Sequence, residues 1–278
     1  MEDKITQHWT DAVIVTAFRK WNRHRSVTSQ AVTEAMLKAA RLKPGMRVLD
    51  LASGPGEPAI AFAEALGEEG LVIASDTSSG LLEIAKENAE QKDLKNIQFQ
   101  IIDAHNLPFA DRSFDLITCR FGVMFFEDCH RALLECHRVL KPAGRAMFAA
   151  WGPPEKQDHF LAVIKILGKY SAGLENEPGV TVPYRFAQAG ELTFALQEAG
   201  FREIKEGCLK LMSRFPDSPE EYWSYFTETS FAFRPILERL TPDQMVQVKG
   251  DILAALKPKY DGENLNLAIE VVLATGLG

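Results

Sequence analysis

From Arg47 to Trp151, short apolar runs alternate with helical stretches, and this alternation constrains the fold more than any other feature of the chain. The runs are Arg47–Leu51, Gly70–Ala74, Ile97–Ile102, Phe114–Cys119 and Arg145–Trp151, and the helical stretches among them are Ala59–Leu66, Gly80–Lys92 and Phe126–Leu140. Each run has the length of a strand, and a helical stretch between two strands suits a parallel crossover. Phe114–Cys119 shows no polar alternation, as expected of a strand covered on both faces. The pattern predicts an α/β fold with a mostly parallel sheet and helices on both sides.

The flanks read differently. Residues 1–40 are predicted to be helical, with Trp9, Val13, Phe18 and Trp21 on a broad apolar face. Beyond Pro153-Pro154 the alternation loosens into helices at Asp158–Leu174 and Ala187–Ala199 and a strand at Phe201–Leu211. Ser218-Pro219-Glu220-Glu221 is a helix start, with a Ser cap, Pro in the first position and acid in the first turn. Thr241-Pro242-Asp243 repeats that signal before Gln244–Leu256, and Leu265–Leu273 is a late β-branched run. The expected organisation is a helical N-terminal cap or lid over 1–40, a nucleotide-binding core over 41–212, a helical insertion over 213–264 and a last core strand over 265–278.

Composition narrows the partners. The 278 residues carry a formal net charge of −7, which leaves no electrostatic footprint for nucleic acid. The basic run Arg19, Lys20, Arg23 and Arg25 reads as a solvated helix face. No apolar run reaches the roughly 18 residues of a membrane span, and the first residues resemble no leader, so a cytoplasmic protein is expected. Four cysteines occur without a CxxC pair. Cys129-His130 and Cys136-His137 lie seven residues apart on an expected helix, about 10 Å along its axis, too far for one metal ion. No metal site is expected.

The chemistry concentrates at the ends of the runs. Asp50-Leu51-Ala52-Ser53-Gly54-Pro55-Gly56 joins a strand to a helix, where glycine lets the backbone approach a ligand and a helix N-terminus presents N–H groups. Asp76, followed by Thr77, puts a carboxylate at the end of the second run, suited to two ribose hydroxyls. The third run ends in Asp103-Ala104, an acid and a small residue that can meet a base edge. Gly54-Pro55-Gly56-Glu57-Pro58-Ala59 also fits the dinucleotide fingerprint of an NAD-dependent oxidoreductase. Against it stand Asp50 just before the turn, the Asp103-Ala104 pair, and the lack of a second mononucleotide half.

Val48–Gly56, Asp76 with Ser78, Asp103-Ala104 with Leu107-Pro108-Phe109, Ser113-Phe114-Asp115, and Arg138–Arg145 resemble the successive motifs of class I S-adenosylmethionine (SAM)-dependent methyltransferases. The branch they resemble most surrounds the ubiquinone/menaquinone biosynthesis methyltransferases. The resemblance runs from about Leu42 to Trp151 in consistent order. It implies a Rossmann-like seven-stranded sheet with a final antiparallel strand, which Leu265–Leu273 can supply. It also implies that Asp50, Ala52, Ser53, Gly54 and Gly56 line the methionine and ribose end. Asp76 and Thr77 would hold the ribose, Asp103 and Ala104 the adenine, and Arg120 and Phe121 the methionyl part. Ala52 departs from the family's first glycine, and Ala143 from a second one.

Methyl transfer from a sulfonium is an in-line displacement that depends on alignment and exclusion of water, so it requires no recognisable catalytic residue. His8, His24, His105, His159 and Tyr184 are the candidate bases, none fixed by a motif. Trp9, Phe18, Trp21, Met124, Phe125, Tyr184, Phe186, Tyr222, Trp223 and Phe226 can line an acceptor pocket. The expected function is methyl transfer to a small, largely apolar or aromatic molecule, O- or C-methylation before N or S. A non-catalytic SAM-binding protein is the alternative.

Overall fold

The computed structural model describes residues 9–170, 181–230 and 233–278. Its strands are β1 (Arg47–Leu51), β2 (Leu71–Asp76), β3 (Ile97–Ile101), β4 (Phe114–Arg120), β5 (Leu140–Trp151), β6 (Arg202–Phe215) and β7 (Leu265–Leu277). They form one seven-stranded sheet in the order β3-β2-β1-β4-β5-β7-β6. Strands β1 to β5 pair in parallel, and β7 is antiparallel to both β5 and β6. An antiparallel strand between β5 and β6 replaces the second parallel half that a dinucleotide fold requires.

The helices are α1 (Ala12–Lys20), α2 (Asn22–Ala40), α3 (Ala59–Leu66), α4 (Ser79–Gln91), α5 (Cys129–Val139), α6 (Asp158–Leu167), α7 (Glu191–Glu198), α8 (Pro219–Thr229), α9 (Arg234–Leu237) and α10 (Pro242–Leu256). Consecutive strand residues serve opposite layers, as the period of two demands. Val48 packs with Val32 and Met36 of α2 and Phe62 of α3. Leu49 faces the opposite layer, whose core also holds Leu133 of α5 and Leu196 of α7. A third core lies beyond the end of the sheet, where α6, α8, α9 and α10 enclose Phe215, Leu265 and Leu267 and reach Trp21. Helix α1 packs Ile14 and Phe18 on Leu81 and Ile84 of α4. None of the described helices is long and apolar enough to cross a membrane.

Several expected boundaries move, each for a local reason. Helix α5 begins at Cys129 instead of Phe126, because the Asp128 side chain caps it by accepting from the Arg131 N–H; Val123–Phe125 is a 3₁₀ turn. Lys141–Gly144 does not stop a helix but continues β5 across a register shift against β4. Helix α7 is shorter than Ala187–Ala199, since Gly190 turns the chain at φ 89° just before it. Strand β6 runs on to Phe215, so the insertion expected from residue 213 starts after Phe215 and its first helix at Pro219. The charged residues Lys205, Glu206, Lys210 and Arg214 hid the length of this edge strand, whose open side faces water. The helix expected over Asp158–Leu174 ends at Leu167, and its positions 171–174 lie outside the described residues, as do positions 1–8 of the expected cap.

Candidate active site

A cavity of about 270 Å³ opens at the carboxyl ends of β1, β2 and β4, roofed by α1 and α2 and closed at the far side by α8 and β7. This is where strand order reverses between β1 and β4, the place where open α/β sheets bind ligands. Nine of the expected binding residues lie on its wall: Ala52, Ser53, Gly54, Asp76, Thr77, Asp103, Ala104, Arg120 and Phe121.

The turn after β1 is bound to the end of β2. The Ser53 N–H donates to the Ser75 carbonyl at 2.9 Å, and the Gly54 N–H donates to Asp76 Oδ2 at 2.8 Å. Gly54 is left-handed, φ 52°, and a Cβ there would meet no protein atom within 4 Å. A side chain at Gly54 would therefore fill space on the cavity wall, which makes the turn a fitting cradle for a nucleotide. Ala52 shares the left-handed conformation at φ 52°. Its methyl is accommodated because Gly122 has none: a Cβ at Gly122 would stand 2.5 Å from the Ala52 Cβ.

Two expected contacts stand behind the wall. Asp50 is fully buried beneath the turn, where Oδ1 accepts from the Thr118 hydroxyl at 2.6 Å and Oδ2 has no partner. Burial pushes its carboxyl up to about 7. Gly56 faces α3 and α4: a Cβ would meet Ile60 Cδ1 at 2.6 Å and the Ala85 Cβ at 3.0 Å. Its missing side chain lets the turn pack closely on these helices, and it is not on the cavity wall.

The Asp76 carboxylate also accepts from the Ser78 N–H at 2.9 Å, so it organises both the turn and the start of α4 while lining the cavity. Desolvation raises its pKa, opposed by these backbone donors. Asp103 Oδ1 accepts from the His105 N–H at 2.9 Å and from ring Nδ1, while His105 Nε2 accepts from the Asp128 N–H at 3.3 Å. Both ring nitrogens are thus engaged, and His105 holds the Asp103 side chain in place.

Arg120 ties the cap to the cradle. Its Nη1 donates to the Thr33 hydroxyl and the Ser29 carbonyl of α2, and its Nη2 to the Glu57 carbonyl at 3.0 Å. Burial lowers its pKa to about 10, with Glu57 and Asp50 opposing the shift and the charge of Arg25 adding to it. The basic run expected to be one solvated face divides: Arg19 pairs with Glu87 and Lys20 with Glu228, whereas Arg25 lies over the Phe18 ring at 3.7 Å and lines the cavity.

Of the expected aromatic wall, Trp9, Phe18, Phe125 and Tyr222 line the cavity. Trp21, Trp223 and Phe226 belong to the core beyond the sheet, and Met124 and Phe186 to the core under α5 and α7. Tyr225, Trp151 and Phe126 line it without having been expected to; their spacing in the sequence carries no mark of this. Phe121 and Trp151 stack at 3.9 Å with an 11° tilt. Tyr184 points its unpartnered hydroxyl into protein, packs on Phe160, and is off the wall. His24, between Trp21 and Phe215, is also off the wall. His8 and the side chain of His159 lie outside the described residues.

A protein family described as "Methyltransferase domain" matches residues 42–172. The chain is 34% identical over 170 residues to a ubiquinone/menaquinone biosynthesis C-methyltransferase of Xanthomonas oryzae pv. oryzae, a match covering 58% of this chain and 63% of that protein. It therefore spans less than two thirds of that relative's length. It is 32% identical over 202 residues to a demethylmenaquinone methyltransferase of Staphylococcus carnosus, covering 69% of this chain and 83% of that one. Among solved structures, the YcgJ protein of Bacillus subtilis shares the fold with a TM-score of 0.57 at 23% identity, covering 88% of this chain and 97% of that chain.

Proposed function

Since the chain belongs to the family of SAM-dependent methyltransferases, we propose that it is an enzyme that methylates a small, largely apolar or aromatic molecule at carbon or oxygen. The observation that carries the reading is the division of one cavity into two unlike ends. One end is the polar cradle of Gly54, Asp76 and Asp103 at three successive strand ends; the other is walled by Tyr222, Tyr225, Trp151, Leu267 and Ile269. The first suits a nucleoside with its ribose at Asp76 and its base at Asp103 and Ala104. The second suits a flat apolar acceptor with a few polar groups.

Bound SAM supplies a methyl group already activated on a sulfonium. The residues of the chain then have three tasks. Asp76 fixes the ribose through charge-assisted hydrogen bonds, worth roughly 1.5–3 kcal/mol. The stacked Phe121 and Trp151 and the buried Tyr222 keep water from the reacting atoms. Burial pushes the Tyr222 phenol well above its ordinary range, so it stays protonated and can donate to an acceptor oxygen but not take its proton. With His105 engaged at both nitrogens, the site favours an acceptor whose carbon or oxygen is nucleophilic without a dedicated base. Electron-rich rings such as the quinols suggested by the names of the two relatives fit this.

The test is turnover of radiolabelled SAM by the pure protein against a panel of phenols, demethylated quinols, amines, thiols and nucleic acid. Methylated phenol or quinol is the expected product. Salt-sensitive methylation of nucleic acid overturns the acceptor class. Tight binding of S-adenosylhomocysteine (SAH) with no turnover on any acceptor supports the non-catalytic alternative.

A further inference from the structure

Resting on the cofactor reading above, the structure assigns Arg25 of α2, which stands outside every strand-end motif, as the cation that holds the methionyl carboxylate of SAM. Four residues of α2 at helical spacing, Asn22, Arg25, Ser29 and Thr33, form one stripe along its inner side. Both ends of the stripe grip the turn after β1. Asn22 pairs with Asn88 at 2.7 Å, and Asn88 donates to the Pro55 carbonyl at 2.9 Å. Ser29 and Thr33 accept from Arg120, which donates to the Glu57 carbonyl. Arg25 stands between these grips, on the cavity wall beside the cradle.

Its own bonding is incomplete. Arg25 Nε is buried without a hydrogen-bond partner, and among the described residues its guanidinium has no carboxylate and no acceptor. The Phe18 ring, 3.7 Å away, fixes the planar group without using its donors. A half-buried cation left unpaired beside a second one, Arg120, is a place where an anion is stabilised.

Much of the cradle's own backbone is already committed. The N–H groups of Ser53, Gly54 and Gly56 are taken by the Ser75 carbonyl, Asp76 and the Ser53 carbonyl, and Pro55 has none. Arg120 is likewise committed, to Thr33, Ser29 and Glu57. A carboxylate at the methionine end therefore finds its donors on Arg25, whose fork matches it in two parallel bonds.

The experiment is calorimetric titration of the full chain with SAH and with 5′-methylthioadenosine, which keeps the nucleoside and the sulfur but lacks the amino-acid end. Arg25→Gln is expected to weaken SAH binding about 10- to 100-fold, the range for a charged hydrogen-bonded contact, and to leave 5′-methylthioadenosine binding unchanged. Arg25→Met keeps a long apolar side chain beside Phe18 and is expected to show the same selective loss, which guards against a folding defect in the first variant. An equal loss for both ligands, or unchanged SAH affinity with impaired acceptor turnover, overturns the assignment while the cofactor reading stands. Wild-type protein that binds neither ligand overturns the cofactor reading and the assignment with it.

Discussion

Gly122→Ala is a one-methyl change whose cost follows from Ala52. The backbone at Gly122, φ −104° and ψ −40°, is open to any L-residue, so the substitution carries no conformational strain. The new Cβ would meet the Ala52 Cβ at 2.5 Å and Cys119 Sγ at 2.8 Å, and Cys119 is fully buried and cannot swing away. Forcing a methyl into such packing typically costs about 1–3 kcal/mol. Ala52→Gly alone should be close to neutral. It relieves the left-handed strain of alanine, about 1 kcal/mol, but frees the unfolded chain by a similar amount. In the double variant the nearer of the two clashes is gone, so the variants should be coupled, with the double more stable than the sum of the singles by about 0.5–1 kcal/mol or more. Urea unfolding of the four proteins measures this, with slopes that should not change. Additivity within about 0.3 kcal/mol, or a neutral Gly122→Ala, would refute the claim that the two positions share one methyl-sized space.

Three further outcomes follow from the site. Asp50→Asn should flatten a pH dependence: the unfolded carboxyl ionises near 3.8 and the folded one near 7, so ionisation favours unfolding in that window. Ligand-free wild type should lose stability as pH rises from 4 to 7, by at most about 4 kcal/mol, and melts at pH 5 and 8 should show the variant gaining on it. Gly54→Ala should cost about 1 kcal/mol of stability for its left-handed backbone but weaken SAH binding tenfold or more, since its methyl enters the cradle; wild-type affinity by calorimetry would remove the turn from the site. Tyr225→Ala should leave SAH affinity unchanged and slow acceptor turnover about tenfold, as expected where one aromatic wall is lost from an apolar pocket. Lost SAH affinity would place Tyr225 at the cofactor end instead.

Strands β1 to β4 and the residues at their ends were legible because period, length and turn chemistry are local. The resemblance then supplied the topology, including an antiparallel β7 that no local signal fixes. What local reasoning missed has a common cause. Asp50 and Gly56 stand in the motif, but which way each faces is decided by Thr118 on β4 and by Ile60 and Ala85 on two helices. Arg25 looks like its neighbours in a basic run; only the docking of α2 separates it from Arg19 and Lys20. Tyr225 and Trp223 lie two residues apart on α8, one on the cavity wall and one in the core, and the choice belongs to the partners of the helix.

The same docking limits what the N-terminal cap can do. On α2, Val32 and Met36 are buried against the sheet, and Trp21 just before it is buried in the core of the insertion, each with under 4% exposure. Uncovering them would cost about 1.5–3 kcal/mol apiece. It would also break the hydrogen bonds of Arg120 to Thr33 and Ser29 and strand a buried guanidinium, a charge that proteins bury only when paired. Helix α1 is held more lightly, by Ile14 and Phe18 on α4 and by two exposed ion pairs, Arg19–Glu87 to α4 and Lys20–Glu228 to α8. A cap of residues 1–40 that opens as one body is therefore disfavoured. Opening at α1 alone would release Phe18 from Leu81 and from Arg25, uncovering the nucleoside side of the cavity while α2 keeps the cradle and the acceptor wall in register.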